Sequence, residues 1–298
     1  MRTRPTLSWS NTGPSLPRTT DLTGVVPIVA GGGVLVLSGA GLSTESGIPD
    51  YRGEGGSLRK HTPMTYEEFT TSEAGRQRYW ARSHVGWRTI ARAHPNAGHH
   101  AVSRLGPLLA GVITQNVDGL HQAAGSPDVV ELHGGLDRVI CLDCGLLSPR
   151  LDLDRRLREA NPDFHATTDE INPDGDVFLP EHQVRDFEVV PCEECGGVLK
   201  PDVVFFGENV PRPRVDQCYD LVDNARSLLV LGSSLTVMSG LRFVRRAATA
   251  GIPVVIINRG ETRGDPHASL RIDLPLGKSL TELAEAVLQS GNGDLPGR

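Results

Sequence analysis

The chain has 298 residues, of which 38% are hydrophobic and 22% charged, and its formal net charge is −6. This length suits one large or two modest folded domains, and the composition is that of an ordinary globular protein. The negative charge argues against general nucleic-acid binding, and no apolar run approaches the roughly 20 residues of a membrane helix. We therefore expect neither nucleic acid nor a membrane as a partner.

The N-terminal 20 residues contain arginines and no acid, which faintly resembles an organelle presequence. Pro5, Pro14 and Pro17 would, however, break an amphipathic helix there. We expect residues 1–22 to be a disordered tail and residues 293–298 to be a second tail. Arginine far outnumbers lysine, as in GC-rich bacterial genomes, so we expect a cytoplasmic bacterial protein, with mitochondrial import as the alternative.

Short apolar runs with the length of buried strands alternate with helical patterns along most of the chain. The predicted strands are residues 34–37, 111–114, 129–132, 203–206, 228–231 and 254–257. The predicted helices among them are residues 99–109, 215–225, 241–250 and 279–289. This alternation indicates an α/β fold with a Rossmann-like parallel sheet covered by helices on both faces. Ligands of such sheets lie at the carboxyl ends of the strands, where this chain has polar and glycine-rich turns.

Two segments interrupt the alternation. Residues 56–93 lack strand patterning and are predicted to be an inserted helical module. Residues 137–199 begin and end near Cys-x-x-Cys pairs and are predicted to be a zinc module. Together they should form a smaller zinc-binding and helical lobe, while residues 23–55, 94–136 and 200–292 form the Rossmann-like domain.

The cysteines predict a metal site. Two Cys-x-x-Cys pairs supply the four thiolates of a closed, tetrahedral structural zinc site. The predicted ligands are Cys141, Cys144, Cys192 and Cys195. The alternative is two redox or disulfide pairs. Cys218 lies on a predicted helix and is expected to be a small core residue.

The first predicted strand runs into Gly39, Ala40 and Gly41. Glycines after a strand allow backbone N–H groups to approach a pyrophosphate. Thr44, however, stands where the dinucleotide fingerprint Gly-x-Gly-x-x-Gly has its third glycine, and no strand with a terminal acid follows about 20 residues later. Taken alone, this loop leaves open whether it binds a nucleotide.

Seven motifs in order resemble those of the sirtuin family. They are GAGLSTESGIPDYRG at 39–53, TQNVDGLH at 114–121, ELHG at 131–134, the two cysteine pairs, KPDVVFFGE at 200–208, GSSL at 232–235 and NRG at 258–260. On these motifs the chain is identified as a member of the family over about residues 25–290. The resemblance implies an NAD-dependent protein-lysine deacylase, with deacetylation as the default, one structural Zn²⁺, and acylated-lysine proteins or peptides as partners.

His133 ends an apolar strand and, by the resemblance, matches the catalytic base of the family. The alternative is a histidine that is merely hydrogen-bonded at a strand end. Asn116 and Asp118 are implied to bind the nicotinamide carboxamide and the ribose with its ordered water, and Gln115 to contact the ribose. An Asx turn is the alternative for Asn116 and Asp118.

Further cofactor contacts are implied by the family positions alone. Arg52 is expected to hold phosphate, Ile48 and Asp50 to flank nicotinamide, and Leu276 to lie near adenine. The remaining implied contacts to NAD are Gly39, Ala40, Gly41, Thr44, Tyr51, Gly232, Ser233, Ser234, Asn258, Arg259 and Gly260.

No serine or cysteine nucleophile is evident, and a closed four-cysteine zinc has no open position for a water. The resemblance implies that the substrate amide oxygen attacks the nicotinamide ribose and nicotinamide leaves. His133 then deprotonates the ribose 2′-hydroxyl, directly or through the 3′-hydroxyl, and free lysine and O-acyl-ADP-ribose result. The alternatives are mono-ADP-ribosyl transfer or lipoamide removal at the same site, a zinc-ribbon module that senses NAD, and a hydride-transferring dehydrogenase.

Tyr79 and Arg82 have the Tyr-x-x-Arg spacing of sirtuins that accept acidic acyl groups, and a solvated arginine beside an aromatic core is the alternative. Residues 76–87 and 174–184 look most like class II sirtuins, the branch of the fourth human sirtuin and its bacterial relatives. By the resemblance, the substrate backbone is expected to pair with the loop near residues 237–239 and with the segment after the second cysteine pair. The implied contacts there are Val203, Val204, Phe205 and Gly207.

Overall fold

The computed structural model describes residues 17–53, 62–168 and 171–292, and a six-stranded sheet forms its larger lobe. The strands are β1 (Val34–Ser38), β2 (Leu109–Thr114), β3 (Val129–Glu131), β7 (Ser227–Leu231), β8 (Val254–Ile257) and β9 (Leu270–Ile272). All neighbouring pairs are parallel, in the order β3-β2-β1-β7-β8-β9. This confirms the predicted Rossmann-like sheet. The strand order reverses beside β1, so a ligand crevice is expected at the ends of β1 and β7.

Helices cover both faces of this sheet. One face packs against α1 (Val26–Ala30), α4 (Ala97–Arg104) and α10 (Leu276–Asn292). The other face packs against α8 (Arg212–Asn224) and α9 (Met238–Thr249). Because side chains alternate along a strand, Val34 and Val36 enter the first core and Leu35 and Leu37 the second. Burial on both faces explains the uninterrupted apolar runs in the sequence.

The smaller lobe contains an antiparallel sheet in the order β5-β4-β6. Its strands are β4 (Gly134–Cys141), β5 (Leu147–Pro149) and β6 (Leu199–Val203). The lobe helices are α2 (Tyr66–Thr71), α3 (Glu73–Ile90), α6 (Arg150–Ala160) and α7 (Glu181–Val184). A short helix, α5 (Leu120–Ala123), follows β2 and leads to β3.

A buried arginine joins the helical and zinc-binding parts of the smaller lobe. The guanidinium of Arg150, on α6, lies 5.3 and 4.8 Å from the ring centroids of Trp80 and Trp87, on α3. Its charge is offset by Asp154, whose carboxylate also lies 2.9 Å from Nδ1 of His84. Because a buried charge requires such partners, these contacts fix α6 against α3.

The prediction of a strand over residues 203–206 of the parallel sheet is wrong. The strand is β6, which ends at Val203 and belongs to the antiparallel sheet. Beyond it, Gly207 adopts φ +83° and Glu208 accepts the N–H of Phe205, so the segment turns instead of extending. The strand β9 was not predicted, because it has three residues and a central arginine, Arg271.

The predicted helix over residues 99–109 is also too long. It ends at Arg104, a 3₁₀ turn containing Pro107 follows, and Leu109 already begins β2. The remaining predicted strands and helices agree with the observed elements to within a few residues.

Residues 1–16 and 293–298 of the predicted tails, and residues 56–61 of the predicted helical module, lie outside the described residues. Within the first tail, residues 17–22 follow the sheet edge: Thr19 pairs with Ile272, and Arg18 lies 2.8 Å from Asp273. In the part of the chain that the structure describes, no helix combines the length and apolarity needed to cross a bilayer.

Candidate active site

A cavity of about 600 Å³ lies at the carboxyl ends of β1, β2 and β7. The loop after β6, in the smaller lobe, contributes a further wall, so both lobes line the cavity. This is the point where the strand order reverses, the position at which open α/β sheets bind their ligands. The walls consist mainly of loops, because the strands end where the cavity begins.

Glycines bring the loops after β1 and β7 into backbone contact. The N–H of Gly41 donates to the carbonyl of Gly232 at 2.9 Å. A Cβ on Gly41 would lie 2.8 Å from that oxygen, and one on Gly39 would lie 2.8 Å from Cβ of Ser233. Gly232 adopts φ +60°, and a Cβ there would lie 2.6 Å from the backbone nitrogen of Leu42. The two loops therefore pack backbone against backbone at the cavity wall, and glycine-rich loops of this kind can bring N–H groups close to a pyrophosphate.

Asn116, Asp118 and Ser43 form a hydrogen-bonded group that ties the loop after β1 to the loop after β2. The Nδ2 amide of Asn116 donates to Ser43 Oγ at 3.0 Å and to the carbonyl of Gly39 at 3.2 Å. Ser43 Oγ donates to one carboxylate oxygen of Asp118 at 2.7 Å, and the other oxygen accepts the N–H of Leu120. The second contact is an Asx turn, so Asp118 combines that turn with a position on the cavity wall. Burial raises the pKa of Asp118.

His133 lines the cavity and is held at both ring nitrogens. Nδ1 lies 2.9 Å from the carbonyl oxygen of Gln115, and Nε2 lies 2.8 Å from Ser239 Oγ. Burial, with smaller contributions from the charges of Arg214 and Arg242, lowers the pKa of His133 to about 4, although the hydrogen bond with Gln115 raises it. The ring is therefore neutral at neutral pH. Because a carbonyl only accepts, Nδ1 carries the proton. The lone pair of Nε2 therefore accepts a hydrogen bond from the hydroxyl of Ser239.

The loop over residues 48–53 forms a cavity wall to which Ile48, Asp50, Tyr51 and Arg52 contribute. The carboxylate of Asp50 accepts the N–H groups of Arg52 and Gly53, at 3.1 and 2.7 Å. One buried guanidinium nitrogen of Arg52 has no hydrogen-bond partner among the described residues. A buried unpaired cationic donor fits a phosphate ligand, since buried donors otherwise find a partner.

Most of the other predicted cofactor residues also meet at the cavity. Ala40, Gln115, Ser234, Asn258 and Arg259 line it.

Three of the predicted cofactor residues do not line the cavity. Thr44 is exposed, and its hydroxyl donates to the carbonyl of Gly41. Gly260 lies just beyond the wall formed by Asn258 and Arg259, and Leu276 packs behind Gly232.

The predicted substrate residues separate into two groups. Val203, Val204, Phe205 and Gly207 line the cavity, and the N–H of Val204 donates to the carbonyl of His133 at 2.8 Å. This segment is braced by Glu208, which accepts the N–H of Phe205 and lies 3.0 Å from Nζ of the buried Lys200.

Tyr79 and Arg82 are not brought to the cavity. Tyr79 is buried with its ring 5.4 Å from Phe69 and 5.2 Å from Phe205. The guanidinium of Arg82 lies over the ring of Phe178. The arrangement around Tyr79 matches the aromatic core that the sequence left open as the alternative.

The two cysteine pairs form matching knuckles. The N–H of Cys141 donates to the carbonyl of Leu146, and that of Cys192 donates to the carbonyl of Gly197. Sγ of Cys141 lies 3.5 Å from Cys195, and Sγ of Cys144 lies 3.9 Å from Cys192. A tetrahedral zinc with bonds of about 2.3 Å requires sulfurs about 3.8 Å apart, whereas a disulfide requires about 2.05 Å. The four thiols therefore fit a structural zinc, and none of them lines the cavity.

Sequence reasoning missed several residues of the cavity wall. They are Ser43, Asp174, Glu208, Arg242 and Glu261. A signal existed for Ser43, a polar residue inside the glycine-rich loop that proves to be 1% exposed. The resemblance places residues 237–239 near the substrate backbone, but no pattern points to the contact of Ser239 with His133, because that contact depends on where α9 begins relative to β3.

Comparisons with known proteins identify the family and the fold. A family model described as the Sir2 family matches residues 39–239. "NAD-dependent protein deacetylase 1" of Streptomyces coelicolor is 67% identical over 96% of both chains. The human protein named "NAD-dependent protein lipoamidase sirtuin-4, mitochondrial" is 49% identical over 83% of this chain and 80% of its own. A solved structure of Sir2 with a p53 peptide and NAD⁺ is 28% identical, with a TM-score of 0.71, over 91% of this chain and 99% of that one.

Proposed function

The chain belongs to the Sir2 family, and from that membership we propose that it is an NAD-dependent protein-lysine deacylase, with deacetylation as its default reaction. The observation that carries the proposal is the neutral ring of His133, held at both nitrogens on the wall of a cavity that the glycine-rich loops after β1 and β7 also line. A relative that is 67% identical along almost the whole chain is a named NAD-dependent protein deacetylase. The products are nicotinamide, free lysine and O-acyl-ADP-ribose.

The residues that line the cavity have separate roles in the proposed reaction. When bound, NAD supplies the ribose carbon that receives the acyl oxygen as nicotinamide departs. Gly39, Gly41 and Gly232 admit the pyrophosphate through bare backbone, and the unpaired nitrogen of Arg52 meets its charge. Asn116 and Asp118, fixed by Ser43, orient the nicotinamide end.

His133 acts as the base. Its Nε2 takes the proton of the ribose hydroxyl, and Nδ1 remains bonded to the carbonyl of Gln115 throughout. Since burial keeps the pKa of His133 at about 4, nearly every molecule has the base in its active form at neutral pH. A sensor that only bound NAD would have no use for such a base.

The substrate is an acylated lysine on a protein or peptide. We propose that its backbone lies along Val203 to Gly207, which line the cavity, and that the acyl-lysine reaches inward toward His133. Ile48, Met64 and Phe205 give this part of the wall an apolar surface. That surface, together with relatives named lipoamidases at 49% identity, makes removal of a long lipoyl chain the second candidate activity.

The zinc has a structural role in this proposal. Its four thiolates close the loop between β4 and β6 and leave no open coordination position for chemistry. We further propose that the protein acts in the bacterial cytoplasm, since the relative at 67% identity is bacterial, with the mitochondrial location in the names of other relatives as the alternative.

The test is mass spectrometry of one peptide series bearing acetyl-, succinyl-, methylglutaryl- and lipoyl-lysine, incubated with the purified protein and NAD. We expect free lysine peptide, nicotinamide and O-acyl-ADP-ribose in equal amounts. A mass increase of the protein by ADP-ribose, with no acyl loss, would support mono-ADP-ribosyl transfer instead. Absorbance of a reduced cofactor would contradict the proposal in favour of a dehydrogenase.

A further inference from the structure

Ser239 is the partner of the nitrogen on which the proposed reaction depends. Its Oγ lies 2.8 Å from Nε2 of His133, while Nδ1 is bonded to the carbonyl of Gln115. Since that carbonyl fixes the proton on Nδ1, Nε2 of the neutral ring can only accept, and the hydroxyl of Ser239 must donate. Both side chains line the cavity.

The position of Ser239 follows from a close approach of two elements. Ser239 is the second residue of α9, and the next residue, Gly240, packs directly on Gln115. A Cβ on Gly240 would lie 2.6 Å from Oε1 of Gln115. The first turn of α9 can therefore reach the ring from one side while the backbone of Gln115 holds it from the other.

We propose that Ser239 is a positioning residue that holds Nε2 of His133 at the cavity wall before and after this nitrogen gains a proton. This proposal rests on the deacylase function. A hydroxyl suits both states, because it is one donor and two acceptors on a rotatable bond. To the neutral ring it donates. For proton transfer, Ser239 first rotates its O–H away from Nε2 and so frees the single lone pair of this nitrogen. The O–H bond of the ribose hydroxyl then breaks, the electron pair stays on oxygen and the proton moves to Nε2. Ser239 then rotates and accepts from the new N–H.

The charged surroundings make an acceptor at this place useful. Arg214, on α8, and Arg242, one turn after Ser239 on α9, both disfavour a positive charge on His133. Because no carboxylate among the described residues is bonded to the ring, the oxygen of Ser239 is the group that can receive the protonated Nε2. The effect on catalysis should be that of a supporting residue and not of the base itself.

The test compares Ser239→Ala and Ser239→Thr with wild type, and uses Ser290→Ala, on α10 away from the cavity, as the matched control. We expect Ser239→Ala to lower kcat of deacylation about tenfold, with KM for NAD within about twofold of wild type. Exchange of labelled nicotinamide into NAD, which precedes the proton transfer, should stay near the wild-type rate. Threonine, which keeps the hydroxyl, should restore most of the deacylation.

A measurement on the free protein provides a readout that does not depend on turnover. In ¹⁵N spectra of histidine-labelled protein, both proteins should show the Nδ1–H tautomer of His133, because the carbonyl of Gln115 is unchanged. The Nε2 resonance should shift in Ser239→Ala, because this nitrogen loses the hydroxyl that donates to it. A wild-type kcat in the alanine variant would overturn the inference, as would equal losses of exchange and deacylation in both variants. His133→Ala separates the two proposals: if that variant deacylates normally, the deacylase mechanism fails and not only the role of Ser239.

Discussion

Acid should destabilise this protein through histidines buried behind the cofactor loops. Nε2 of His121 lies 2.8 Å from Oγ of Ser38, and its ring centroid lies 5.2 Å from that of His99. Both histidines are at most 1% exposed. Burial lowers the pKa of His121 to about 3, with a further contribution from His99, and burial lowers the pKa of His99 to about 4.

The direction and size of the effect follow from proton linkage. In the unfolded chain these rings gain a proton near pH 6.5, whereas the folded state holds them neutral to much lower pH. Their contribution to stability is therefore complete above pH 6.5 and declines as the pH falls toward the folded-state pKa. At pH 5, each ring that stays neutral in the folded protein lowers the free energy of unfolding by about 2 kcal/mol relative to neutral pH. That is a large part of a typical stability of about 5–15 kcal/mol.

The assay is urea unfolding of wild type and His121→Gln at pH 7.5 and at pH 5. Glutamine retains a polar group for Ser38 and does not titrate, so the variant should lose about 2 kcal/mol less than wild type between the two pH values. Any acid effect on the zinc thiolates is common to both proteins and cancels in the comparison. His182→Gln, at an exposed position on α7, should behave as wild type. If wild type and His121→Gln lose the same stability, the neutral buried ring is not the cause.

Three further outcomes follow from the geometry of the site. Gly41→Ala places a Cβ 2.8 Å from the carbonyl oxygen of Gly232, so we expect the free energy of unfolding to fall by about 1–3 kcal/mol. Calorimetry should show at least tenfold weaker NAD binding. An NAD affinity within twofold of wild type would contradict the proposed backbone contact with the pyrophosphate. Cys192→Ser should lose its zinc by elemental analysis and fold poorly, whereas a soluble variant with one zinc per chain would show that the four-cysteine assignment is wrong. Arg82→Gln should change the ratio of acetyl- to succinyl-lysine turnover by less than about threefold, because Arg82 does not line the cavity; a selective tenfold loss for succinyl-lysine would place it at the acyl group.

The sequence predicts the larger lobe well, because its evidence is local. Strands such as Val34–Ser38 are apolar on both faces, and that pattern arises from a parallel sheet buried between two layers of helices. The cysteine knuckles are equally local, since each is complete within a few residues. Most of the motif-based site residues meet at one cavity for the same reason: they lie close after a strand end, and parallel strand ends meet at one edge.

What the sequence misses depends on contacts between distant segments. The segment after Val203 is as apolar as a buried strand, yet it turns because Glu208 bonds the N–H of Phe205 and is itself held by the buried Lys200. Tyr79 and Arg82 have the Tyr-x-x-Arg spacing of sirtuins that accept acidic acyl groups. Spacing on one helix, however, does not determine which neighbouring element each side chain contacts. Ser239 contacts His133, 106 residues away, and no local pattern carries that information.

The central claim is that His133 is the base of an NAD-consuming deacylation, and one comparison tests it most directly. Wild type, His133→Ala and His100→Ala, an exposed histidine on α4, are incubated with NAD and an acetyl-lysine peptide, and the deacetylated peptide and O-acetyl-ADP-ribose are quantified by mass spectrometry. We predict equal amounts of both products from wild type and His100→Ala, and a loss of at least about a hundredfold for His133→Ala. Deacetylation by His133→Ala at the wild-type rate, or loss of the acetyl group with NAD recovered intact, would contradict the claim.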